Sequence, residues 1–127
     1  MQAGDIMSRP VLATTPKASV RDVAAQLLMT GFSGMPVAER DGTVVGVLSE
    51  ADIIGLLVEG KELASITVRE IMSHEPVTVD VEASIDEVLK LLVDHLRIPV
   101  TDRGSLVGVI ARSDAIRAEL EPEFMTF

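Results

Sequence analysis

Two stretches of the chain carry apolar residues at helical spacing. Val20, Val23, Ala24, Leu27 and Leu28 stand at i, i+3, i+4, i+7 and i+8, and Ile85, Val88, Leu89 and Leu92 repeat the pattern. Each set predicts a helix with one buried stripe. Ser19-x-x-Asp22 opens the first and Ser84-x-x-Glu87 the second, both in capping-box form. Short, mostly apolar runs flank these helices and read as strands. Val11-Leu12-Ala13 and Val77-Thr78-Val79 precede them, and residues 35–39 and 98–101 follow. Asp41-Gly42 and Asp102-Arg103-Gly104 are hairpin turns leading into strands at residues 43–48 and 105–110. Each of these last strands passes without a loop into a further helix, at Ser49-Glu50-Ala51-Asp52 and at Ala111-Arg112-Ser113-Asp114. Thr67-x-x-Glu70 caps one more short helix.

The pattern occurs twice. Ile6-Met7-Ser8 returns as Ile71-Met72-Ser73, Pro10-Val11 as Pro76-Val77, Pro36-Val37 as Pro99-Val100, Gly46-Val47 as Gly108-Val109, and Asp52 as Asp114. The order is kept while the offset drifts between 66 and 62, as loop insertions and deletions would produce. The expected organisation is a first repeat at residues 1–60, a linker at 61–66, a second repeat at 67–122 and a tail at 123–127. Each repeat is a β-α-β-β-α unit, and the fold class is α/β in content, of α+β type. A unit of roughly 60 residues buries too little surface to be secure alone. The two are therefore expected to pack through their sheets about a pseudo-two-fold, leaving a cleft lined by equivalent residues.

Composition narrows the function. The formal charge is −9, with 20 acidic against 11 basic residues. That field opposes non-specific nucleic-acid binding, which relies on neutralising phosphates. Phe32, Phe124 and Phe127 are the whole aromatic complement, too few for a base-stacking platform. No apolar run approaches the ~20 residues of a membrane span, and no secretory signal is visible. With no cysteine, disulfide and thiolate chemistry are absent. The expectation is a cytoplasmic protein with neither nucleic-acid nor membrane partner.

The candidate chemistry lies where strand meets helix. A carboxylate accepts two hydrogen bonds at once, which suits a vicinal diol, and helix starts favour anions. Yet Ser49-x-x-Asp52 is also a capping box and needs no ligand to explain it. In the second repeat Ala111 cannot cap, Ser113 could take over, and Asp114 persists. His74 and His95 lie apart without spaced carboxylates, so no metal site is expected. No nucleophile-and-base set or phosphate-cradling glycine loop is found, so no catalytic residue is assigned and the protein is not expected to be an enzyme.

Four stretches, "DIMSRPVLATTPKASVRDVAAQLL", "GMPVAERDGTVVGVLSEADII", "EIMSHEPVTVDVEASIDEVLKLL" and "RIPVTDRGSLVGVIARSDAI", together resemble the cystathionine-β-synthase (CBS) domain family in tandem, the Bateman module. The resemblance covers residues 5–120 and implies a stand-alone regulatory sensor with no required cofactor. Its effector would be AMP, ADP, ATP or S-adenosylmethionine, held in the inter-repeat cleft. By that resemblance Ser49 and Asp52 serve ribose or phosphate in one half and Asp114 in the other. Val77, Thr78, Val79 and Ile98 would form the base slot for Asp52, and Leu12, Ala13, Thr14, Met35 and Pro36 that for Asp114. Arg97, two residues before Pro99, matches a phosphate-meeting basic position, whereas Gly34 stands there in the first half. Arg112 beside Asp114 has the same two readings, phosphate contact or solvated residue. The Asp114–Arg97 end is thus the expected place for a phosphorylated ligand. The resemblance also implies a homodimer and a regulated protein partner that the sequence does not identify. The other reading is a structural dimerisation module that binds no nucleotide.

Overall fold

The computed structural model describes residues 1–120 and 125. The tail expected at 123–127 lies, Met125 apart, outside the described residues. The fold is mixed α+β, with two small sheets and six α-helices among the described residues. It resolves into two compact units. Unit 1 comprises Met1–Val11, Val77–Arg103 and the chain from Val107 onward, and unit 2 comprises Leu12–Pro76 with Gly104–Leu106. Each unit thus takes the Ile-Met-Ser segment that precedes the other repeat's first strand.

Unit 2 contains α2 (Val20–Thr30), β1 (Gly34–Ala38), β2 (Val44–Ser49), α3 (Glu50–Val58) and α4 (Val68–Ile71), with a 3₁₀ turn at Leu63–Ser65. The Ser19 hydroxyl accepts the Asp22 N–H and opens α2 as its spacing predicts. Val20, Val23 and Leu27 then face a core completed by Met35, Val37, Leu48, Ile53, Leu56, Val68 and Met72. Leu28, read as part of the stripe, is 82% exposed. β1 and β2 form an antiparallel hairpin that pairs Gly34 with Ser49 and Met35 with Leu48. The strand expected at Val11-Leu12-Ala13 does not form. Among the described residues of this stretch only Thr14 pairs its backbone with β1, donating its N–H to Pro36 O at 3.0 Å and accepting the Ala38 N–H at 2.9 Å. Pro10 and Pro16 flank this stretch, and proline has no N–H to continue a ladder.

Unit 1 contains α1 (Ala3–Ile6), β3 (Val79–Asp80), α5 (Ile85–Leu92), β4 (Arg97–Asp102), β5 (Ser105–Ala111), whose first two residues count with unit 2, and α6 (Arg112–Glu119). Here the opening strand exists but is two residues long, pairing parallel to β4 as Val79 with Val100 and Asp80 with Thr101. The β4–β5 turn is Arg103–Gly104, both at positive φ (53° and 81°), the geometry of a tight hairpin whose twist matches its strands. Ala3, Val79, Val88, Leu92, Ile98, Val100, Ile110 and Ala115 form a separate core. Leu89, also read as stripe, is 38% exposed.

The returning Ile-Met-Ser segments pack alike. The Ser73 N–H and carbonyl pair with Val47 (2.9 and 3.1 Å), and those of Ser8 pair with Val109 (2.8 and 3.1 Å). Gly46 and Gly108 sit beside these contacts. A Cβ on Gly46 would lie 2.5 Å from Ser73 O and 2.7 Å from Met72 Sδ, and one on Gly108 would lie 2.5 Å from Met7 Sδ. A close backbone approach therefore requires glycine at Gly46, whereas at Gly108 the tightest neighbour is the end of a side chain.

Candidate functional site

In unit 2, β2 delivers Ser49 to the start of α3 in extended geometry (φ −116°, ψ 162°). The Glu50 N–H donates to Ser33 O at 2.8 Å and ties the helix start to the residue before β1. The capping box closes around Asp52. Its Oδ2 accepts the Ser49 N–H at 2.9 Å and the Ser49 hydroxyl at 3.0 Å, while the Asp52 N–H donates to Ser49 Oγ at 3.3 Å. Oδ1 of Asp52 has no hydrogen bond among the described residues, and the side chain is half-buried.

The equivalent position in unit 1 is built differently. The Arg112 N–H donates to Leu96 O at 3.4 Å, the counterpart of the Glu50–Ser33 bond. Asp114 Oδ2 accepts the Ala111 N–H at 2.7 Å. Its Oδ1 accepts the Ser8 hydroxyl at 2.9 Å and Arg117 Nη1 at 3.4 Å. Asp114 is 9% exposed. With Asp5, Ile6, Arg117 and Ala118 it lines a shallow depression on unit 1.

Arg112 carries a structural task. Its Nε donates to Leu92 O at 2.8 Å and its Nη2 to Val93 O at 3.0 Å, satisfying carbonyls at the end of α5. Arg97 is half-buried at the first position of β4 and has an interaction of its own. Met35, Val79 and Ile98 are core residues of their own units, and Pro36 is buried between Met35 and Val37. Thr14 is buried with its backbone committed to β1, whereas Leu12, Ala13 and Val77 are half-buried and Thr78 is exposed.

Within unit 2 the fold gathers Thr14, Met35, Pro36, Ser49 and Asp52 on or beside one hairpin. In unit 1 it sets Val79 beside β4, which begins at Arg97 and Ile98, and places Arg112 and Asp114 after β5. Sequence reasoning missed Ser8 and Arg117, the two side chains on Asp114 Oδ1. One signal for Ser8 was available, since the hydroxyl recurs in both Ile-Met-Ser segments. Among the described residues no helix is long and apolar enough to cross a membrane.

Comparison with known proteins agrees with this geometry. The CBS domain family matches the chain twice, over residues 3–59 and 68–121. YlbB of Bacillus subtilis, an uncharacterised protein, is 30% identical over 118 residues, covering 91% of this chain and 80% of its own length. The uncharacterised MK0525 of Methanopyrus kandleri is 25% identical over 123 residues; the match covers 94% of this chain but 63% of that protein. The crystal structure of CBSX2 in complex with AMP superposes with a TM-score of 0.81 at 27% identity, covering 93% of this chain and 95% of that one. With two matched domains in the order the repeats predict, the chain belongs to the CBS-domain family as a tandem pair.

Proposed function

We propose that this chain is a regulatory module that binds an adenosine-containing ligand and relays its occupancy to a protein partner. The observation that carries the reading is the unpaired Oδ1 of Asp52, a carboxylate oxygen at a helix start with its acceptor capacity open. The AMP complex of CBSX2, similar along nearly its whole length, supports adenosine as the ligand class. Ser49 and Asp52 take the ribose in this reading. A thermal-shift screen against AMP, ADP, ATP and S-adenosylmethionine tests it. A ligand at about 100 times its dissociation constant adds about 2.7 kcal/mol to stability. No shift with any of the four would remove the reading.

A second reading has its own support: both Asp52 and Asp114 already serve their own helix starts, as caps do without a ligand. Under it the module is a dimerisation unit. Leu28, Met29 and Val58, on α2 and α3, are 82%, 86% and 81% exposed, and apolar surface of this kind favours association. We infer a homodimer under either reading, and light scattering at tens of micromolar protein checks it. A monomer mass would overturn the inference.

A further inference from the structure

The two equivalent aspartates differ in what remains for a ligand. A carboxylate offers about four acceptor positions, two on each oxygen. At Asp52 both donors, the N–H and hydroxyl of Ser49, fall on Oδ2, so Oδ1 keeps its full capacity. At Asp114 the Ala111 N–H occupies Oδ2, while Ser8 and Arg117 both occupy Oδ1. A diol needs two open acceptor positions on the carboxylate, on one oxygen or shared between both, and Asp114 keeps one, on Oδ2; without Ser8 it would have one on each oxygen.

The cause is a single missing hydroxyl. Ser49 supplies a local hydroxyl to Asp52, and Ala111 has none for Asp114. Ser8 supplies it from 106 residues away. Ser73, which holds the matching place in unit 2 and pairs with Val47 as Ser8 does with Val109, makes no side-chain hydrogen bond among the described residues. The Ser8 hydroxyl is therefore not a general feature of the Ile-Met-Ser segment but specific to Asp114.

We propose that the Ser8–Asp114 hydrogen bond closes the Asp114 position to a nucleoside diol, so that the chain takes one adenosine ligand, through Asp52, and breaking that bond opens a second position. This rests on the adenosine reading above. It makes the N-terminal segment Met1–Val11 a control element: whatever withdraws Ser8 from unit 1 changes the number of ligands bound.

Calorimetric titration of AMP into the full chain and three variants tests it. The native chain is expected to bind one equivalent. Asp52→Asn keeps an acceptor for the Ser49 N–H but puts an amide toward the diol, and should weaken binding at least about tenfold. Ser8→Ala should bind two equivalents, and Ser8→Ala with Asp52→Asn one. Two equivalents on the native chain, one on Ser8→Ala, or undiminished affinity in Asp52→Asn would each overturn the closure while leaving the adenosine reading intact. Absence of binding by every protein would overturn both. If Ser8→Ala does not fold, Asp52→Asn alone decides, because strong binding that persists in it must use the position held to be closed.

Discussion

The starts of α3 and α6 solve one problem with different means. Both helices follow a strand directly, and both use an aspartate at the third helical position to accept the N–H of the residue before the helix. In unit 2 the remaining hydroxyl is local and comes from Ser49. In unit 1 the helix start borrows Ser8 from a distant segment and adds Arg117. The same division appears at the short helices. Thr67 gives Glu70 both its N–H (2.6 Å) and its hydroxyl (3.0 Å), whereas Gln2 gives Asp5 only an N–H (2.7 Å). Unit 2 thus closes its helix starts with neighbours in sequence, and unit 1 adds one tertiary hydroxyl, that of Ser8, to the local donors at α6. The local cap leaves its carboxylate half-exposed with Oδ1 open; at α6 the carboxylate is buried and both oxygens carry a donor.

The largest test of that contrast is the cost of removing each carboxylate. Asp114→Ala removes a buried carboxylate that holds the Ala111 N–H and, across 106 residues, the Ser8 hydroxyl, and should cost about 2 kcal/mol. Asp52→Ala loses a half-exposed cap whose donors reach water, and should cost about 1 kcal/mol. Urea unfolding midpoints at constant m-value measure both. Equal costs would mean that the distant hydroxyl contributes nothing to unit 1.

How much of this was legible in the sequence depends on the range of the contact involved. α2 and α5 were predicted from apolar spacing and a serine three residues before an acid, both properties of one helical turn, and both helices start where those serines stand. The hairpins were legible for the same reason, through Asp41-Gly42 and Arg103-Gly104. The strand at Val11-Leu12-Ala13 was not, because a short apolar run suggests which side chains are buried and says nothing of which backbone groups find partners. Among the described residues Thr14 makes the only bridge there. The stripes were read one residue too wide at Leu28, whose exposure only the packing around α2 decides. At the candidate site, Ser49 and Asp52 were legible as a box because they are three residues apart. Arg112 looked like an anion ligand, and only the folded chain brings the end of α5 under its guanidinium. Ser8 could not be placed on Asp114 from sequence at all, since 106 residues separate them.

A second test compares the glycines beneath the Ile-Met-Ser segments. A methyl group on Gly46 meets a backbone oxygen, Ser73 O, at 2.5 Å, and Met72, itself buried, at 2.7 Å. On Gly108 the nearest atom is Met7 Sδ, the flexible end of a half-buried side chain, with Ser8 O at 3.1 Å. Backbone cannot step aside as a thioether can. Gly46→Ala is therefore expected to cost about 2 kcal/mol and Gly108→Ala about 1 kcal/mol, by thermal or urea unfolding. The reverse order would show that the Ser8 segment is the more rigidly held of the two.

The smallest effect concerns acid. The N–H of Thr67, and then its hydroxyl, hold the Glu70 carboxyl below its ordinary range, and the group is fully exposed to solvent. A carboxylate whose pKa is depressed on folding stays ionised to lower pH in the native chain than in the unfolded one. Its contribution to stability is therefore complete above the unfolded value, and it fades as the pH falls through the folded value. Glu70→Gln cannot lose a proton, so it should melt below the native protein near neutral pH, with the gap narrowing as the pH falls below the ordinary glutamate range. Thr67→Val removes the hydroxyl but keeps the N–H, which is the larger cause of the shift, and should leave most of that pH-dependent gap in place. Loss of the whole gap in Thr67→Val would move the weight of this cap from the backbone to the hydroxyl. The local hydroxyl would then matter as much at α4 in unit 2 as the borrowed one does at α6 in unit 1.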